Sequence, residues 1–302
     1  MAGVLGNENH DFSLSIETVT DNNGAPLPLD ATEIARIVRP GSLWREVRVV
    51  AQTGSTNADL LAAARAGAEE GAVLVAEAQA GGRGRLGRRW ASPPRAGLTF
   101  SMLLRPSGVP AAALGWLPLL TGVAAAAAVR DVAAADATLK WPNDVLAGGA
   151  KLGGILAERT GGAVVVGVGI NVWQDRPDLP GDTVATSVAL EAGAGRASLA
   201  PAPGGPGLRE RLLAELLAGL SRRYLAWRDQ AAPGDANASG LRQEYLRLCA
   251  TLGREVTVTM PGAEVITGTA TGVDWAGRLA VRTAHGLATV TAGDVVHVRP
   301  GG

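Results

Sequence analysis

Between Leu139 and Val172 the chain reads LKWPNDVLAGGAKLGGILAERTGGAVVVGVGINV, three strand-like apolar runs separated by two Gly-Gly pairs. Two-residue glycine turns join antiparallel neighbours, because both turn residues need the left-handed backbone region that glycine enters at no steric cost. A three-stranded antiparallel meander is therefore expected, with no room for a crossover helix inside it. Upstream, strands and helices alternate. WREVRVVAQ, from Trp44, alternates like a strand. TGSTNADLLAAARAG then reads as a helix: Thr56 and Asp59 fit a capping box, Leu60, Leu61 and Ala64 share the inward face, and Gly67 stops it. GAVLVAEAQ is a strand, and LTFSMLLRP is expected to be a half-buried one through Leu98, Phe100, Met102 and Leu104. Hairpins mixed with separate helices make the fold class α+β, not a doubly wound parallel sheet.

The rest of the chain divides by pattern. Residues 1–28 are polar and glycine-containing and are expected to form a mobile extension; LDATEIARIVR follows as a short helix. The alanine-rich run Ala111 to Val129 is interrupted by Gly115, Pro118 and Gly122 and closed by Arg130 and Asp131, which reads as a buried helix, not a membrane span. Residues 192–207 form a low-complexity loop or linker, followed by two helical segments, LRERLLAELLAGLSRRYLAWR and LRQEYLRLCATLG. From Arg254 the pattern changes to short strands with frequent turns, a small β-barrel with a boundary near Gly253. The expected units are the extension 1–28, a main domain 29–252 and a C-terminal barrel 253–302.

Charge and composition exclude several roles. Twenty-eight basic residues balance twenty-eight acidic ones, so no global field draws the chain to DNA or to an anionic membrane. The opening MAGVLGNENHDF lacks the basic and apolar regions of a secretory signal. The single cysteine, Cys249, sits in an apparently helical LRLCATL, excludes an internal disulfide and suits a reducing cytoplasm. His10, His285 and His297 are scattered, so no dedicated metal site is expected from protein ligands.

Anion binding must therefore be local, and GGRGRLGRRW, residues 81–90, is where arginine concentrates. Its glycines match G-x-G-x-x-G, but the helix that a dinucleotide turn needs is missing: RRWASPPRAG follows, with Pro93-Pro94. A P-loop needs Gly-Lys-Ser/Thr, and Gly87 is followed by Arg88-Arg89. What remains is a glycine loop carrying guanidinium forks, each able to hold phosphate or carboxylate bidentately. Taken alone, it reads equally as a solvated basic loop or a nucleic-acid contact. Ser55, Thr56 and Asn57, taken alone, read equally as helix caps. All but two of the 28 basic residues are arginine, and the two lysines, Lys140 and Lys151, fall within the meander. In a chain that uses arginine wherever it will serve, lysine marks places where a compact ammonium is needed and a planar fork does not fit.

Taken together and in this order, TGSTN, QAGGRGRLGRRW, KWPND, KLGGILAE and GVGINV resemble the bacterial biotin–protein ligases from about Trp44 to Arg299. The resemblance implies a class II aminoacyl-tRNA synthetase/biotin ligase-like catalytic domain with a mixed, largely antiparallel sheet, then a Src-homology-3-like barrel. It also implies a two-step reaction. Biotin and Mg-ATP give biotinoyl-AMP and pyrophosphate, and a lysine of a biotin carboxyl carrier domain then takes the biotinoyl group. Residue by residue, Ser55, Thr56, Asn57 and Gln79 match biotin-ring contacts. Arg83, Gly84 and Arg85 match the loop core at the biotin carboxylate and adenylate phosphate, and Lys151 the lysine bridging the two. Arg88, Trp90, Lys140, Asn143, Asp144 and Asn171 match the nucleotide side, with Asp144 also beside any Mg²⁺ that arrives with ATP. Lys151, Arg85 and Asp144 are the residues expected to carry the chemistry.

Two departures stand out. Leu86 replaces a basic residue frequent in this loop, and residues 192–207 look like an insertion. Only 54 residues precede Ser55, too few for the winged helix-turn-helix module of family members that double as repressors. No DNA or membrane partner is therefore expected. The runners-up are a lipoate or octanoate ligase of the same fold, which would leave the STN segment unexplained, and a biotin-sensing regulator.

Overall fold

The computed structural model describes residues 26–37, 42–181, 183–201, 205–260 and 262–298. The expected mobile extension therefore lies outside the described residues up to 25, and beyond that it is tied down: the Leu27 carbonyl accepts from Arg209 Nη2 at 2.6 Å. The helices are α1 (Ala31–Ala35), α2 (Thr56–Arg65), α3 (Trp116–Ala133), α4 (Val188–Glu191), α5 (Leu208–Arg228) and α6 (Leu241–Leu248). The first seven strands are β1 (Glu46–Val50), β2 (Ala72–Ala76), β3 (Gly97–Leu104), β4 (Ala137–Lys140), β5 (Asp144–Ala147), β6 (Ala150–Thr160) and β7 (Ala163–Asn171). Then come β8 (Glu255–Thr259), β9 (Val265–Val273), β10 (Leu279–Thr283), β11 (Gly286–Val290) and β12 (Asp294–His297).

Strands β1 to β7 form one mixed sheet in the order β1-β2-β3-β7-β6-β5-β4, parallel only between β1 and β2. The meander is present with one strand more than the sequence indicates. LKWPNDVLA does not run through as one strand; it folds back at Trp141-Pro142-Asn143 and pairs Lys140 with Asp144. Proline lacks the N–H that a ladder position must donate, so the strand cannot continue through it. The turn is pinned from outside, where buried Trp141 donates its indole N–H to Gly277 O at 3.0 Å. Gly148 and Gly149, with φ of 55° and 77°, make the next turn as expected.

Helices α3 and α5 cover one face of the sheet and α2 part of the other. Strand β3 is central, so the half-buried expectation is corrected: Leu98, Phe100, Met102 and Leu104 enter the main core, while Leu103 joins Leu60, Leu61, Ala64, Leu74 and Val165 on the α2 side. Helix α3 is long and apolar enough to cross a membrane, yet it is mostly buried between the sheet and α5. Helix α2 is capped one residue earlier than the capping-box reading places it. Ser55 is the N-cap and accepts from Ala58 N at 3.4 Å, while Asp59 accepts from the Thr53 hydroxyl. Cys249 is not helical, because the chain leaves α6 there to pair with β4, with Ala250 N donating to Leu139 O at 2.7 Å.

Strands β8 to β12 make a five-stranded antiparallel sheet in the order β11-β10-β9-β8-β12, consistent with a Src-homology-3-like fold. The architecture changes between α6 and β8, without a break in packing. Val256, Val281 and Val295 belong to the same hydrophobic cluster as α3, and Trp116 donates to Trp275 O at 2.7 Å. The loop after α4 is anchored by buried Leu199 and by Arg196, whose guanidinium lies 5.3 Å from the Trp173 ring.

Candidate active site

The site lies on the α2 face of the sheet, beyond the end of that helix, and its floor is glycine. In β7 the residues Val164, Val166, Val168 and Ile170 point into the core, which leaves Gly167, Gly169 and Asn171 on the opposite face. Cross-strand register lines up Ser101, Gly167 and Leu156 as one row, and Thr99, Gly169 and Gly154 as the next. Side chains from elsewhere drop into both rows. A Cβ on Gly167 would lie 2.2 Å from Asn57 Oδ1, and one on Gly169 would lie 2.3 Å from Trp90 Cε2. The Trp90 indole nitrogen is buried there without a hydrogen-bond partner.

The first row is the polar end. The chain just before α2 pairs with the chain just after β2, through Thr53 N to Ala78 O at 3.1 Å and Gly81 N to Gly54 O at 2.8 Å. That extension of the β1–β2 pairing brings Ser55, Thr56 and Asn57 to Gln79. Gln79 Oε1 accepts from Thr56 N at 2.8 Å and lies 3.0 Å from Thr56 Oγ1. Ser101 Oγ lies 2.7 Å from Thr56 Oγ1 and donates to Asn57 Oδ1 at 2.6 Å. Asn57 Nδ2 donates to Leu156 O at 3.2 Å and to Glu158 Oε2 at 2.8 Å. The two hydroxyls supply two hydrogens to three oxygen–oxygen contacts, Gln79–Thr56, Thr56–Ser101 and Ser101–Asn57. This end of the cavity is one hydrogen short.

The arginine loop closes over the second row as a tight hairpin, with Trp90 N donating to Gly82 O at 2.9 Å and Gly84 N to Arg88 O at 2.7 Å. Exposed Leu86 sits at its tip with φ of 56°. Lys151 arrives by a different device. In the β5–β6 pairing Val145 faces Gly153 but Leu146 faces Lys151, so Leu152 is an extra, bulged residue. The bulge reverses the alternation, placing Leu152 in the core and Lys151 on the same face as Gly154 and Asp144.

Each of the five cations that line the cavity is met by an acceptor of the chain itself, Arg89 by Ala80 O at 3.3 Å. Lys151 Nζ is 2.7 Å from Asp144, Arg88 is 2.6 Å from Asp294, and Arg83 is 3.8 Å from Glu158. Arg85 donates to Asn143 Oδ1 at 3.1 Å and to Gly293 O at 3.4 Å. Burial lowers the Arg85 pKa from its ordinary value, opposed by the carboxylates of Asp144 and Asp294. The hydrogen bond from Arg88 holds the Asp294 carboxyl below its usual range.

A cavity of about 650 Å³ joins these parts, and every expected site residue lines it except Lys140. Lys140 closes β4 outside the lining, where its charge acts on Asp294 and His297. Asn171 lines the cavity with its amide engaged, Nδ2 donating to Thr186 O at 2.9 Å. Sequence reasoning missed Ser101, the segment Asp178 to Pro180, Asp294, and Glu158 just behind the polar end. Only Glu158 carried a signal, as the polar residue closing KLGGILAE.

The Biotin/lipoate A/B protein ligase family matches residues 49–175, and the Biotin protein ligase C terminal domain matches residues 251–298. The biotin--[acetyl-CoA-carboxylase] ligase of Mycobacterium tuberculosis is 42% identical over 93% of this chain and 100% of its own length. The chain belongs to the biotin protein ligase family. Its similarity to the bifunctional ligase/repressor of Escherichia coli K12 is 39% identity over 55% of this chain and 53% of that protein. Among solved structures, the biotin protein ligase of Aquifex aeolicus, in complex with biotin and ATP, superposes with a TM-score of 0.67. It is 27% identical, over 85% of this ligase and 100% of that chain. These relatives favour the biotin ligase reading over both runners-up, the lipoate ligase and the regulator.

Proposed function

We propose that this ligase joins biotin to ATP as biotinoyl-5'-AMP and then transfers biotin to a lysine of a biotin carboxyl carrier domain. The observation that carries the reading is the pairing, in one cavity, of an acceptor-rich polar end with a cluster of cations that includes Arg83, Arg85, Arg88 and Lys151. Biotin's cyclic urea offers N–H donors, which is what an end short of one hydrogen takes up; the dithiolane ring of lipoate has none. This supports Ser55, Thr56, Asn57 and Gln79 as the ring contacts.

In the first step the carboxylate oxygen of biotin forms a bond to the α-phosphorus and pyrophosphate leaves. Two anions must approach, and Arg83 and Arg85 lower that repulsion from the loop, while Gly84 lets the backbone come close. Lys151, a point ammonium, follows both the carboxylate and the phosphate oxygens as they close. Trp90, Arg88, Asn143 and Asn171 frame the nucleotide side, with Lys140 contributing charge from outside the wall. In the second step the carrier lysine amine bonds to the acyl carbon, AMP leaves, and the amine's proton is released. The loop excludes water in the interval.

Asp144, with one carboxylate oxygen toward Lys151, would hold a Mg²⁺ ion brought by ATP through the other, and the ion would supply charge neutralisation at the phosphates. Among the described residues no cluster of three metal-ligating groups occurs. The catalytic unit is residues 29–252, and residues 253–302 brace the loop through Gly293 and Asp294. A buried, unpaired Cys249 fits a cytoplasmic enzyme. ATP–pyrophosphate exchange with biotin, against lipoate and octanoate, tests the first step; exchange independent of biotin, or faster with lipoate, would refute it. Labelling of a purified carrier domain tests the second.

A further inference from the structure

Building on the biotin ligase reading, we propose that Glu158 is a specificity-determining positioning residue: it sets the donor–acceptor polarity of the ring-binding end and keeps that end short of a hydrogen. Asn57 is 4% exposed, so its amide has few partners to choose from. Its NH₂ group faces Leu156 O at 3.2 Å and Glu158 Oε2 at 2.8 Å. The Leu156 carbonyl and the Glu158 carboxylate oxygen both accept, so together they hold the donating group of Asn57 toward them. The amide oxygen is thereby turned toward Ser101, whose single hydrogen is committed to it at 2.6 Å. The Thr56 hydroxyl then has one hydrogen for both Ser101 Oγ at 2.7 Å and Gln79 Oε1 at 3.0 Å, so one of these two contacts lacks a hydrogen of its own. The chain of consequence runs from Glu158 through Asn57, Ser101 and Thr56 to an acceptor surplus that an N–H-bearing ring relieves and an all-carbon chain or a dithiolane does not.

Glu158 is not part of the lining of the 650 Å³ cavity; it lines the adjoining hollow, which shares Arg83, Arg85 and Asn143 with it, and it reaches the ring-binding end through Asn57. Its other oxygen lies 3.8 Å from Arg83 Nη2, a loose and partly exposed ion pair that does not fix the carboxylate by itself. The register gives Glu158 this reach. It lies two residues beyond Leu156 on β6, on the same face, where Gly167 leaves the space that Asn57 fills.

Glu158→Gln is nearly isosteric but brings an NH₂ group. It can donate to Asn57 Oδ1, which gives the Asn57 amide a second orientation, at the cost of its 3.2 Å bond to Leu156 O, in which its own NH₂ faces Ser101 and supplies the missing hydrogen from within. The expected result, in pyrophosphate exchange, is a fall in the preference for biotin over octanoate on the order of tenfold or more. The loss should fall on KM for biotin more than on KM for ATP, and Glu158→Met, which removes the same charge beside Arg83, controls for the ion pair. Glu158→Asp, still acceptor-only, is expected to keep most of the preference; a residue that merely props the fold would not show this rescue. If the glutamine variant does not fold, Glu158→Met, which neither donates nor accepts, should show a smaller fall in the same ratio. An unchanged biotin-to-octanoate ratio in the folded variant, or equal loss in the aspartate and glutamine variants, overturns the proposal. Absence of biotin-dependent exchange in the parent enzyme would instead overturn the ligase reading beneath it.

Discussion

Gly167→Ala is the substitution that most directly tests the glycine floor. The added methyl would sit 2.2 Å from Asn57 Oδ1 and 2.9 Å from its Cγ, inside any allowed contact. Two routes relieve the clash. Asn57 can swing out, losing a neutral bond of about 1 kcal/mol to Ser101 and a charge-assisted one of roughly 1.5–3 kcal/mol to Glu158. Alternatively β7 can shift, at about 1–3 kcal/mol for an overpacked site. The cheaper route sets the cost, so roughly 1–3 kcal/mol is expected, a fall in Tm of about 2–5 °C for a chain of this size. Either route moves Asn57 relative to Thr56, so KM for biotin should rise about tenfold while KM for ATP changes little. Gly162→Ala is the control, since a Cβ there meets nothing within 4 Å. Thermal unfolding and exchange kinetics on both variants decide the matter. A Gly167→Ala protein that unfolds within about 1 °C of the parent, with an unchanged biotin KM, would show that the floor is not filled by Asn57 in solution.

Lys151→Arg is expected to lose most adenylation despite keeping the charge, because a planar fork cannot track two converging oxygens from beside Asp144; near-normal exchange would contradict this. Arg85→Gly removes the contacts to Asn143 and Gly293, and should leave adenylation partly intact while biotinoyl-AMP escapes roughly tenfold or more faster. The sign is labelling of a bystander lysine-rich protein that a small scavenger amine suppresses. For His297, burial and the nearby Lys140 and Arg254 push the imidazole down to about 4. An unfolded histidine takes its proton near 6.5, so the unfolded chain binds more protons between those values and stability falls as pH drops from about 6.5 to 4. Tm measured across that window should fall less in His297→Gln, and identical profiles would remove His297 from the account.

Much of the frame was legible because it rests on local rules. Gly148-Gly149 demands a turn, Leu208 to Arg228 has helical periodicity throughout, and the alternation in AVVVGVGINV announces a strand with a bare face. The site residues were legible as motifs, since short segments such as TGSTN bring several groups to one place by themselves. What escaped depends on distant partners or on a shift of register. Ser101 meets Asn57 across 44 positions, Glu158 meets it across 101, and Arg85 reaches Gly293 across 208. Nothing near Leu152 marks the bulge, because the extra residue is defined only against β5. The hairpin break at Pro142 could have been read from the missing N–H alone. The packing of Trp116 and Trp141 against the C-terminal sheet could not.

The internally matched cations change what binding means at this site. Asp144, Glu158 and Asp294 act as built-in counter-ions, and Asn143 with Gly293 does the same for Arg85. An arriving anion therefore exchanges partners instead of meeting bare charge. Inorganic phosphate trades one contact for another and gains little at each position. A molecule that spans the floor and engages several positions at once gains by effective concentration, since each exchange after the first is intramolecular. The cavity thus favours a ligand that spans several of these positions over a small anion that meets only one.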